Sequence, residues 1–470
     1  MAKFAPTKDQ QRAIDARGSA LLVSAAAGSG KTKVLTERLM SYITGVDPKS
    51  IDSFLVITFT RAAAGELRSR IMQELSERMG QEPHNASLRR QYALLPRAQI
   101  STIHGFCSAL IRENCLPLEL PPDFKVVDES RTAALKQAAL EKVMEACYDR
   151  IESDEKLRSL IDTVGAGRDD SRLGALVLNL HGKMQSHAYP ELWAEEQRKA
   201  LYAEGVTDPG ETVWGRYLLD SAAETADYWA RIMERMLGEM AHPDYDYIAA
   251  KYADNFAETA EGLRAFAAAA KLGWARAAEY SDIPFPRLNS PRKPAHPEVL
   301  ERFKAHRTAC KDAVKGFKTD FGQSAEEVLA DMRKTAPAME ALLELTLAFD
   351  KVFAKEKKRR GLVDYGDLEH FAARLLAEPD GSPTDLARQI SERYTEIMVD
   401  EYQDVSAVQE LIFRSVSKDS ANLFTVGDVK QSIYRFRLAD PSIFTEKYLT
   451  YSASRSPLMR HSIGTGTSPS

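Results

Sequence analysis

The apolar run Ala20-Leu21-Leu22-Val23 breaks into Ser24-Ala25-Ala26-Ala27-Gly28-Ser29-Gly30-Lys31-Thr32, and no other stretch constrains the chain as strongly. An apolar strand that ends in a small-residue loop closing on Gly-Lys-Thr reads as a phosphate cradle. Small side chains let successive N–H groups turn inward around an anion, and the helix that follows aims its positive dipole end at the same point. In such a loop Lys31 neutralises the β- and γ-phosphates, and the Thr32 hydroxyl ligates Mg2+. The usual pattern opens on Gly, whereas Ala25 stands here. That departure costs little where φ is negative, which leaves Gly28 and Gly30 to supply the positive torsions.

Composition bounds what such a loop can belong to. With 470 residues the chain has length for two or three domains and a substantial core. A net charge of −5 excludes a globally basic nucleic-acid binder, so any such contact must come from a local patch. Cys107, Cys115, Cys147 and Cys310 lack metal-ligand spacing and read as reduced thiols. No run of about 18 apolar residues predicts a membrane span, and Met1 to Pro6 lacks a secretory apolar segment. The expectation is a cytoplasmic enzyme that engages no membrane.

Three textures follow one another. Residues 1–125 alternate short apolar runs with helical stretches. Phe54-Leu55-Val56-Ile57-Thr58-Phe59 has the composition of a buried parallel strand, with a helix from Arg61 to Ile71 behind it. Gln99-Ile100-Ser101-Thr102-Ile103-His104 reads as another strand, closing into a helix near Gly105-Phe106. This alternation predicts an α/β fold with a doubly wound parallel sheet flanked by helices. Residues 126–345 are rich in Ala, Glu, Arg and Leu. Ala139, Val143, Cys147 and Ile151 recur at i+4, and the region reads as a large all-α insertion with loops near Pro284–Pro286 and Asn289–Pro294. Trp214 and Trp229 within it read as packing residues. Over 346–450 the α/β texture returns. The cluster Lys355-Glu356-Lys357-Lys358-Arg359-Arg360 there reads as a solvated helix face. Asp364 and Asp367 read as groups that cap or orient the helix beginning near Leu368. Residues 451–470, rich in Ser, Thr, Gly and Pro, read as a disordered tail.

The second decisive stretch is Tyr394-Thr395-Glu396-Ile397-Met398-Val399-Asp400-Glu401-Tyr402-Gln403-Asp404. An apolar strand ending in adjacent carboxylates complements a phosphate loop on a neighbouring strand. Asp400 would hold Mg2+ through water, and Glu401 would polarise the attacking water. A third strand, Leu423-Phe424-Thr425-Val426-Gly427-Asp428, runs into Val429-Lys430-Gln431-Ser432-Ile433-Tyr434-Arg435-Phe436-Arg437. Gln431 sits where a neutral side chain can feel the γ-phosphate. Tyr434 and Phe436, interleaved with Arg435 and Arg437, suit stacking on unpaired bases.

Together these residues resemble the motif set of UvrD/Rep-type superfamily 1 DNA helicases. Thr7-Lys8-Asp9-Gln10-Gln11-Arg12-Ala13-Ile14 is similar to the family's adenine-reading motif, with Gln10 as the glutamine. Ala25 to Thr32 matches motif I, and Ile57 to Ala64 matches motif Ia, whose aromatic (Phe59, beside Thr60 and Arg61) stacks a DNA base. Ser101 to Cys107 resembles the next motif, in which Thr102 and His104 lie against DNA. Asp400 to Asp404 matches motif II and Gly427 to Arg437 motif III. The wording of Lys430–Arg437 and of Thr102–Cys107, with the long insertion, looks most like the AddA branch. The resemblance implies a RecA-like ATPase domain in two parts, using ATP and Mg2+. It also implies 3′-to-5′ movement on single- or double-stranded DNA, an AddB-type partner, nuclease function and double-strand break repair by homologous recombination. The family's second RecA-like domain and nuclease domain find no match here, so a truncated chain that binds Mg·ATP and hydrolyses it poorly is expected. Three alternatives are a stand-alone UvrD-like helicase fragment, a non-catalytic ATP- or DNA-binding fragment, and a protein-remodelling ATPase. The last leaves Phe59, His104 and Tyr434 to Arg437 without a role.

Overall fold

Runs too apolar to face water on either side must be covered on both, and the chain's strands are of that kind. The computed structural model describes residues 5–26, 28–164, 171–289, 295–432, 439–453 and 460–463. Its strands are β1 (Leu21–Ala25), β2 (Phe54–Thr58), β3 (Gln99–Thr102), β4 (Lys125–Val126), β5 (Leu362–Val363), β6 (Glu396–Val399), β7 (Leu423–Gly427) and β8 (Arg460–Ile463). Six of them form one sheet in the order β3-β2-β6-β7-β1-β8, and β4 pairs with β5 separately. Every pairing in the large sheet is parallel, with Leu22 opposite Thr425, Val56 opposite Met398 and Val399 opposite Thr425. Residues 460–463 lie in the segment expected as a disordered tail; here their backbone adds to the free edge of β1.

Alternation along each strand feeds two cores. Leu21, Val23, Phe54, Val56, Met398, Phe424 and Val426 face helices Lys8–Asp15, Lys31–Ile43 and Arg61–Gln81. Leu22, Leu55, Ile57, Ile397, Val399 and Leu423 face helices Ile103–Glu113, Tyr365–Leu376 and Ala407–Ser415. Because the strands are parallel, their carboxyl ends share one edge. The loops after β1, β2, β3, β6 and β7 all emerge there, the position at which open α/β sheets bind ligands.

The chain divides into two compact units, 1–150 with 169–194 and 344–470, and 151–168 with 195–343. The sheet lies in the first. In the second, helices Val213–Met240, Asp246–Ala270 and Pro297–Val314 enclose their own core, with Leu219, Ala226, Met233, Tyr252, Phe256, Phe266 and Phe303 buried. Trp214 is more than a third exposed and meets Trp274 edge-on, while Trp229 packs partly buried against that core. The helix that carries Lys355 to Arg359 runs over Ala325–Arg359 and contains Pro337. No described helix is long and apolar enough to cross a membrane.

Candidate active site

The loop after β1 takes the shape its glycines allow. Gly28 and Gly30 have φ of 74° and 83°, in the left-handed region that glycine tolerates. Gly30 is the N-cap of Lys31–Ile43, so that helix points its first N–H groups back into the loop. The Ser29 Oγ is buried and has no hydrogen-bond partner among the described residues. A buried orphan hydroxyl in a loop of inward N–H groups fits an anion as its missing acceptor. Gln10, largely buried, donates from Nε2 to the Ser29 carbonyl at 3.0 Å while its Oε1 caps its own helix from the Thr7 N–H at 2.8 Å. Ser24, Ala25 and Ala26 line the exit of β1, and Ala27 lies outside the described residues.

Motifs far apart in sequence converge on Lys31. Its Nζ donates to Glu401 Oε2 at 3.1 Å and to Gln431 Oε1 at 3.4 Å. Thr32 Oγ1 lies 3.5 Å from Asp400 Oδ2. Burial, and next the neighbouring Glu401, push the Asp400 carboxyl up to about 6. A hydroxyl and a carboxylate are the hard oxygen donors that Mg2+ takes when phosphates and water supply the rest. A cation there would also favour the ionised form that burial disfavours. The residues present therefore fit a magnesium–phosphate ligand. Glu401 itself sits at φ 52°, a left-handed conformation that is uncommon for a glutamate.

A cavity of about 740 Å3 is walled by Phe59, Arg61, Thr102, His104, Tyr365 and Arg374. A smaller one touches Thr32, Phe59, Thr60, Glu401 and Gln431. Phe59, Asp400, Glu401 and Asp404 line both. Asp400 and Glu401 therefore border the same two cavities as the aromatic after β2. Thr60 and Thr102 accept from the Ala63 and Gly105 N–H groups as helix N-caps. Each hydroxyl proton remains available to an acceptor outside. His104 Nε2 meets Glu369 Oε1 at 2.9 Å, and its ring tilts against Tyr365. Tyr434, Phe436 and Arg437 lie outside the described residues.

Two features are not apparent from sequence. Lys357, which composition assigns to a solvated cluster, is buried and donates to Asp364 Oδ2 at 2.8 Å and Asp367 Oδ1 at 2.6 Å. Those two aspartates do cap a helix, which runs over Tyr365–Leu376 and so begins before the expected Leu368, and they compensate the buried ammonium as well. Gln403 lies between Glu401 and the end of β7. Its position two residues after Glu401 was the available signal.

The profile of the UvrD/REP helicase N-terminal domain matches residues 6–452. The A subunit of an ATP-dependent helicase/nuclease from Ruminiclostridium cellulolyticum is 38% identical over 459 residues, covering 95% of this chain and 36% of that protein. Its counterparts in Desulforudis audaxviator and Heliobacterium modesticaldum are 38% and 36% identical over 461 and 477 residues, covering 95% and 96% of this chain and 37% and 34% of theirs. The chain spans about a third of the length of these relatives. With a phosphate loop, paired carboxylates and a trailing glutamine meeting at one sheet edge, and the profile matched over residues 6–452, the chain belongs to the UvrD/REP helicase N-terminal domain family.

Proposed function

We propose that the first compact unit is the ATP-binding motor domain of an AddA-type, 3′-to-5′ DNA helicase/nuclease that works in double-strand break repair by homologous recombination. The convergence of Glu401 and Gln431 on Lys31 carries the reading, because it joins three motifs at one sheet edge. In this proposal Gln10 reads adenine and Ser24 to Thr32 hold the phosphates. Thr32 and Asp400 hold Mg2+, Glu401 orients water, and Gln431 senses the γ-phosphate. Bound ATP with Mg2+ supplies the phosphoryl group whose transfer drives movement. Phe59, Thr60, Arg61, Thr102 and His104 form the DNA face, extended by Tyr434, Phe436 and Arg437.

The helical region 126–345 is proposed as an insertion between the two parts of the ATPase domain, 1–125 and 346–450. An AddB-type protein is the proposed partner, and the cytoplasm the proposed site of action. A chain with this site should bind Mg·ATP through Lys31 and Thr32. Binding and turnover with and without single-stranded DNA, beside Lys31→Ala, test this. Loss of binding in Lys31→Ala supports the site; equal binding by both proteins sinks it.

A further inference from the structure

Five hydrogen bonds close a ring around the site. Lys31 Nζ donates to Glu401 Oε2 at 3.1 Å, and Gln403 Nε2 donates to the same oxygen at 3.0 Å. The backbone N–H of Asp428 donates to Gln403 Oε1 at 2.9 Å. Gln431 Nε2 donates to Asp428 Oδ2 at 2.5 Å, and Gln431 Oε1 accepts from Lys31 Nζ at 3.4 Å. The ring links the phosphate loop, the end of β6 and the end of β7. Lys31, Glu401 and Gln431 each have a part in handling the γ-phosphate. Gln403 has none, yet it is the member that ties the carboxylate to the end of the neighbouring strand β7.

We propose that Gln403 is a positioning residue that holds the Glu401 carboxylate in working register with Gln431, an inference that rests on the ATP-site reading. Its side chain is 2% exposed, so water does not substitute for its partners. The amide is used on both ends, because Nε2 also donates to Asp404 Oδ2 at 3.2 Å. Only a neutral amide offers both donors and an acceptor at that length; an ionised glutamate cannot donate, and methionine is a weak acceptor only. The backbone on β7 is shaped to admit it. A Cβ on Gly427 would stand 2.5 Å from Gln403 Oε1, so the close approach requires glycine. Ser432 Oγ further donates to the Gln403 carbonyl at 3.4 Å, placing the start of the segment after Gln431 on the same residue.

Position matters because Glu401 does not hold itself. Its backbone is left-handed at φ 52°, and its side chain is about a third exposed. When phosphates recruit Lys31, the ring opens at Lys31 and Gln403 remains the tether on Glu401. The expected signature is a loss in rate without a matching loss in nucleotide affinity.

The test is single-turnover hydrolysis of γ-labelled Mg·ATP by excess chain, alongside binding of a fluorescent ATP analogue and melting curves. For Gln403→Met we expect affinity within about threefold of wild type and a rate lower by about 10- to 100-fold. Adding Glu401→Gln should slow Gln403→Met little further, since the two act through one carboxylate. Should Gln403→Met melt too low to assay, Gln403→Glu decides. It keeps the acceptor for Asp428 but turns a charge toward Glu401, and should be as slow. Wild-type rates in either folded variant overturn the proposal, as does a rate loss that merely follows weaker binding. So does wild-type hydrolysis no faster than that of Glu401→Gln. If wild type binds nucleotide no better than Lys31→Ala, it is the ATP-site reading that has failed, and this inference fails with it.

Discussion

Asp400 is asked to be buried and to be charged. Its carboxyl is pushed up to about 6, by burial first and by Glu401 second, whereas in an unfolded chain it titrates near 4. Between those values the folded protein keeps a proton that the unfolded chain has lost. The contribution of this group to stability is therefore greatest below about 4 and declines as pH rises through about 6, by roughly 3 kcal/mol at most. Asp400→Asn removes the conflict. Urea denaturation of the nucleotide-free protein should show the variant more stable than wild type at pH 8 by up to about that amount, with the gain shrinking at pH 5. Mg·ATP affinity should fall in the same variant, since a neutral amide is a poorer magnesium partner. Equal stability at pH 8 would mean that the site solvates the carboxylate. The sequence displayed this residue at the end of an apolar strand beside a second carboxylate. It did not display the burial that sets the pH window, because burial depends on helices that arrive from elsewhere in the chain.

The helix Lys31–Ile43 must stay fixed for its N-terminus to aim at phosphate, and one buried ion pair fixes it. Arg38 donates from Nε and Nη2 to Glu396 at 2.8 and 2.5 Å, and from Nη1 to the Ala13 carbonyl at 2.6 Å. Tyr42 adds a hydrogen bond to Glu396 Oε1 at 2.9 Å. Arg38 and Glu396 are both essentially buried, so helix Lys8–Asp15, helix Lys31–Ile43 and β6 are joined through charges that water does not screen. Removing one partner strands the other, at a cost of about 3–5 kcal/mol. Denaturation of Arg38→Met and of Glu396→Gln should each show a loss of that order. The double replacement Arg38→Met/Glu396→Met should be milder than the sum, and additive losses would contradict the coupling. Strand ends and glycine torsions were legible because local chemistry dictates them. This pair was not, because its members stand 358 residues apart and neither breaks a local pattern. Lys357 escaped for a similar reason: its cluster spans two faces of a helix, and composition does not say which face Asp364 and Asp367 will meet.

At the scale of the whole molecule, the proposed nucleotide site draws on the loop after β1, the end of β6 and the end of β7, all within one compact unit assembled from three stretches of chain. The second unit has its own core around Met233, Phe256 and Phe266. Composition separated the α/β texture from the helical one. It did not locate the borders at 150/151 and 343/344, because the helices Glu129–Tyr148 and Ala325–Arg359 have much the same character on either side. The division makes a prediction about ligand linkage. Mg·ATPγS at about 100 times its Kd stabilises whatever folds with the site by about 2.7 kcal/mol. Native-state hydrogen exchange should register that gain in β1, β6 and β7, with the sharpest protection at 24–32, 399–404 and 427–432. Amides of the helices Val213–Met240 and Asp246–Ala270 should exchange as before, because these helices belong to the other compact unit and have a core of their own. A uniform slowing across both sets would show instead that the units unfold as one cooperative block, in which case nucleotide occupancy would report on the integrity of the entire chain.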